Sequence, residues 1–131
     1  SDYDYLIDNY KKITYNNNML STLYNNKGYN LILLKKYKEA QPLVKKAISL
    51  DKKTDYIWET KGELEYFLGN YIDAVDAMSK SINIKPSASA YYYKGLSEIA
   101  LGKKEKGCSD LSKAGEMGES KAYTEIKNNC N

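Results

Sequence analysis

One motif recurs through this chain every 34 residues or so, and an internal repeat of that length constrains the fold more than any other feature of the sequence. The middle copy reads Trp58-x3-Gly62-x6-Gly69-x-Tyr71-x2-Ala74-x3-Met78-x2-Ser81-x4-Pro86. A step of 34 back from it meets Tyr24, Gly28, Tyr37, Ala40, Val44 and Ala47. A step of 33 forward meets Tyr91, Gly95, Gly102, Gly107, Leu111 and Ala114. Aromatic falls on aromatic and small on small. The spacing predicts two antiparallel helices per unit. Small residues such as Gly62 and Ala74 let the backbones approach, Gly69 closes the first helix and Pro86 ends the second. A unit of this kind cannot bury its apolar face alone, so the units are expected to stack.

The pattern resembles the tetratricopeptide repeat family over residues 21 to about 119. That resemblance implies an all-α chain, a right-handed α-solenoid of three helix pairs. The expected division is one solenoid domain, 1–131: an N-terminal capping helix in 1–20, repeats at 21–54, 55–87 and 88–119, and a capping helix in 120–131. Leu6, Tyr10 and Ile13 match the core stripe of a second helix lacking its first, and the Asn16-Asn17-Asn18 run is expected as the following turn. Tyr123, Ile126 and Cys130 are spaced along one helical face, fit to cover the last repeat. The motif is departed from in places: Lys27, Lys61 and Lys94 replace the usual leucine, Leu31, Glu65 and Glu98 the usual tyrosine, and Lys52 a common proline. The third unit and tail look like a terminal variant found in bacterial members of the family.

Several chemistries are poorly supplied. The chain has no histidine, and all 20 of its basic residues are lysine. The commonest general base is therefore missing, as is the guanidinium fork favoured for phosphate. Two cysteines without histidine do not make a zinc site, so no metal and no cofactor are expected. Residues 1–54 carry ten lysines against five acids, and 55–87 carry three against six, so no basic stripe marks a nucleic-acid partner. No apolar run approaches the roughly 20 residues of a membrane helix, so no membrane insertion is expected of this segment. The first residue is serine, and we expect a chain that was processed or cut from something longer.

In the resembled family the first helices of successive units line a concave groove that holds peptides. The resemblance implies groove positions at Asn25, Tyr29, Tyr56, Glu59, Glu63, Tyr66 and Tyr92, and a protein or extended peptide as partner. Glu59 and Glu63 share a helical face. No nucleophile or histidine accompanies them, so they read as an acidic spot for a basic side chain or as a solvated face, not as catalytic acids. Asn25, Tyr29, Thr60, Ser89 and Tyr93 stand where some relatives grip a C-terminal carboxylate with lysines, and no lysine is among them. The expected role is a non-enzymatic, protein-binding scaffold; the alternative is a repeat segment of a larger enzyme or regulatory protein. Cys108 and Cys130 lie equally far from Glu119, level with each other if the chain turns there. They read either as buried thiols, in a bacterial cytoplasm, or as a disulfide, in a periplasm or envelope.

Overall fold

A computed structural model describes residues 1–13 and 16–131, the side chains of residues 10–13 excepted. Eight α-helices and no strand occur among the described residues: α1 Asp2–Ile13, α2 Asn17–Leu33, α3 Tyr37–Leu50, α4 Asp55–Phe67, α5 Tyr71–Ile84, α6 Ala88–Ala100, α7 Lys104–Glu116 and α8 Lys121–Asn129. The helices α2/α3, α4/α5 and α6/α7 pack as pairs, α4 also touches α2 and α6, and α8 packs on α7 and reaches α6. Among the described residues, no helix is long and apolar enough to cross a membrane.

The pairs are antiparallel, and buried serines tie them. Ser21, near the start of α2, donates to the carbonyl of Ala47 near the end of α3 at 2.7 Å. Ser81, near the end of α5, donates to the carbonyl of Asp55 at the start of α4 at 2.9 Å. Each pair closes around its glycine. A Cβ on Gly28 would come within 2.9 Å of Val44, one on Gly62 within 2.7 Å of Met78, and one on Gly95 within 2.8 Å of Leu111. The closest neighbour of Gly62 is therefore Met78, one turn beyond the Ala74 expected opposite it. Ala74 is itself fully buried.

The turn inside each pair uses a residue of positive φ: Lys35 (61°), Gly69 (80°) and Gly102 (81°). In each turn the next N–H returns to a carbonyl five residues back, as from Lys36 to Leu31 at 2.8 Å and from Asn70 to Glu65 at 2.8 Å. Between α3 and α4, where proline is common, Asp51 supplies the turn instead. Its carboxylate accepts from the Lys53 N–H at 2.8 Å and the Thr54 hydroxyl at 2.5 Å.

The charged departures from the motif have a common geometry. Lys61 lies 3.6 Å from Glu65, and Lys94 lies 3.8 Å from Glu98 and 2.9 Å from Asp110. Both glutamates are buried. Each Lys–Glu pair lines a cleft against the preceding second helix, of about 320 Å³ beside Val44 and Ile48 and about 400 Å³ beside Val75 and Ser79. Lys27 has Leu31 a turn away instead of an acid, and its ammonium pairs with Asp4 of α1.

The N-terminal helix corrects one expected core position, Leu6. Ile7 is buried, while Leu6 is 47% exposed; Tyr10 and Ile13 lie outside the described side chains. The asparagine run is not a turn: Asn16 caps α2 by accepting from the Asn18 and Met19 N–H groups, and Asn17 and Asn18 are already helical. At the other end Ala122 is fully buried, with Ile126 and Cys130 packed beside it against Leu111 and Ala114. Tyr123 is largely exposed, yet its ring lies where a Cβ on Gly115 would sit.

Candidate functional site

The first helices of the pairs bring a set of tyrosines around two glutamates. Glu63, on α4, is buried. Burial pushes its carboxyl above the usual carboxylate range, a hydrogen bond from Tyr93 of α6 pulls it back, Glu59 pushes it up and Lys121 pulls it down. Tyr93 is itself pushed well up by burial and by the Glu63 charge. From the opposite side Tyr29 of α2, still 38% exposed, is raised by burial and then by Glu63 and Glu59. Three first helices therefore converge on one carboxyl pair. Glu59, a turn earlier, accepts a hydrogen bond from Ser87, the residue whose hydroxyl also caps α6.

Rings extend this centre. Tyr93 has its centroid 5.3 Å from Tyr66 and 5.3 Å from Tyr92, and Phe67 lies 5.8 Å from Tyr93 and stacks on Tyr37 at 5.1 Å. Such offset and edge arrangements fix the ring directions and stiffen the surface they line. Tyr56, exposed, shares a 3.1 Å hydrogen bond with Thr22 of α2.

Of the residues singled out from sequence, Tyr29, Glu59, Glu63, Tyr66 and Tyr92 are linked through these ring and charge contacts. Tyr56 stands beside Thr22 at the α2–α4 seam. Asn25 is buried, and its side-chain carbonyl oxygen has no hydrogen-bond partner among the described residues. Tyr92 is buried too, leaving little of its ring for an open surface. Sequence reasoning missed Lys121, Glu119 and Glu125. The Lys121 ammonium sits 5.2 Å from the centre of the Tyr92 ring, and Tyr92 is raised by burial first and then by the charges of Glu125 and Glu119. These residues come from α8 or the turn before it, and only its docking beside α6 brings them to the tyrosines.

Cys108 and Cys130 form a disulfide with Cα atoms 5.9 Å apart, fastening the end of α8 to α7. No group of three or more His, Cys, Asp or Glu able to hold a metal occurs among the described residues.

Stacked antiparallel helix pairs with a face of first helices define a helical-repeat protein. Residues 21–54 match the sequence profile of the tetratricopeptide repeat. Residues 21–54 therefore carry a tetratricopeptide repeat, and the chain folds as solved tetratricopeptide-repeat domains do. The first such domain of Spaghetti (RPAP3), solved bound to the HSP90 peptide SRMEEVD, superposes with a TM-score of 0.79 at 19% identity over 85% of this chain and 90% of that one. The tetratricopeptide-repeat domain of Arabidopsis OM64 gives 0.78 at 17% identity, over 86% and 98%. YrrB, described as having an unusual peptide-binding site, gives 0.78 at 18% identity, over 93% of this chain and 61% of its own. No curated protein matches the chain in sequence.

Proposed function

We propose that this chain is a binding scaffold, with three repeats at 21–54, 55–87 and 88–119, which holds an extended peptide across α2, α4 and α6. The observation that carries this reading is the Glu59–Glu63 carboxyl pair set among Tyr29, Tyr66 and Tyr93 on three successive first helices. Flat rings with polar tips grip a peptide at low entropic cost, and a carboxyl pair in a partly desolvated setting selects for cations. Two structural relatives support a peptide as the ligand, since one holds the HSP90 peptide SRMEEVD and another is described by its peptide-binding site. That HSP90 peptide is acidic. The carboxylates here fit a partner of opposite charge, a peptide carrying lysine or arginine. Asn25 is buried, while Tyr29 and Tyr56 offer the exposed contacts. The closed disulfide supports an oxidising compartment, a bacterial periplasm or envelope.

The test is a peptide array probed with the purified chain, followed by titration of the peptides retained. Replacing Glu59 and Glu63 together by glutamine is expected to weaken a basic peptide by about tenfold or more and to flatten its salt dependence. Retained peptides that are acidic or neutral, or a basic one indifferent to both changes, would overturn the reading.

A further inference from the structure

Lys121 is the first residue of α8. A cation there faces the positive end of the helix dipole, so the position does nothing for the helix itself. Its ammonium instead lies over the Tyr92 ring at 5.2 Å, within the range of about 6 Å at which a ring face attracts a cation. Its charge also acts on Glu63. Aromatic face and carboxyl together are what a peptide's lysine would be offered, and the chain supplies that lysine itself. The side chain remains exposed to solvent, so nothing encloses it against exchange. The helix that delivers it is anchored at both ends: Ala122 is fully buried near one, and the Cys108–Cys130 bond fastens the other.

We propose that Lys121 is an internal occupant of a lysine-binding subsite formed by Tyr92 and Glu63, held there by the disulfide-anchored α8, and that a partner binds by inserting its own lysine ammonium in its place. This rests on the peptide-binding reading above and names the chemistry of one subsite. The Lys121 chain then swings into solvent, and α8 keeps its packing. Occupancy by Lys121 lowers the affinity for every lysine-bearing partner and sets a threshold that a correctly spaced peptide has to exceed.

The experiment uses fluorescence anisotropy at low ionic strength with the whole oxidised chain. The probe is a labelled Gly-Ser-Lys-Gly-Ser-Lys-Gly-Ser peptide, compared with the same peptide bearing acetylated lysines. Lys121→Ala is expected to tighten binding of the unmodified probe by about three- to tenfold. Lys127→Ala, which removes the same charge from another face of α8, is expected to leave it unchanged. Glu63→Gln is expected to weaken binding in both the native and the Lys121→Ala backgrounds. Equal affinity of the native chain and Lys121→Ala, with preference for the unmodified probe retained, overturns the internal occupant and leaves the groove standing. An equal gain from Lys127→Ala reduces the effect to net charge and also overturns it. Absence of any preference for unmodified lysine in every variant overturns the groove reading and this inference together.

Discussion

Gly95 and Gly107 meet backbone to backbone: a Cβ on Gly95 would lie 2.9 Å from the Gly107 carbonyl oxygen, and a Cβ on Gly107 would lie 2.9 Å from the Gly95 carbonyl oxygen. Alanine is the better helix former by about 1 kcal/mol, but a helical carbonyl cannot turn aside to admit it. We expect Gly95→Ala and Gly107→Ala each to destabilise the chain by about 1–3 kcal/mol, read from urea midpoints. Gly62→Ala should cost less, because the atoms it meets belong to the flexible Met78 side chain. A midpoint at or above that of the native chain for Gly95→Ala would show that α6 and α7 can part freely.

The disulfide closes a loop between residues separated by 22 positions. In the chain-entropy account such a bond contributes about 3 kcal/mol. The double change Cys108→Ser and Cys130→Ser is expected to remove about that much, with lost amide protection concentrated in α8 because that helix is packed on one side only. Hydrogen exchange read by mass spectrometry checks the location. Uniform loss across α4 and α5 would mean that α8 melts only with the whole chain.

Stability should depend on pH through Glu98. Burial raises its carboxyl to about 7, its hydrogen bond and repulsion with Asp110 add to the rise, and Lys94 and Lys106 oppose it. A carboxyl raised above its unfolded value of 4.5 binds its proton more tightly in the folded chain. Its stabilising contribution is thus full below pH 4.5 and is lost as the pH rises through about 7. Glu98→Gln should remove that part of the slope. Urea midpoints at pH 5 and pH 8 that fall equally in both proteins would assign the dependence to other groups.

The architecture was legible because its determinants are local and periodic. Trp58 and its counterparts Tyr24 and Tyr91, with Gly28, Gly62 and Gly95, mark where helices must approach, and periodicity survives without knowledge of the third dimension. The N-terminal helix buries Ile7 where the sequence pattern points to Leu6, because a lone amphipathic stretch without a preceding partner offers no second copy to align. The site was legible in half. Glu59 and Glu63 share a face by helical spacing alone, but the burial of Asn25 and Tyr92 depends on what covers them. Lys121 covers Tyr92 from a helix whose placement depends on Ala122 and the cysteines, and no motif encodes that approach.

The two ends of the stack are held by different chemistry. In a solenoid each element leans only on its neighbours. At the first end α1 is joined to α2 by Ile7 and by the Asp4–Lys27 ion pair; at the last, α8 is joined to α7 by a covalent bond. Salt weakens an ion pair at the surface and leaves a disulfide intact, whereas a thiol reductant acts on the disulfide alone. The stack accordingly loosens with a direction that the solution chooses: salt slackens the fastening at the head, reductant the one at the tail, and each end answers without consulting the other.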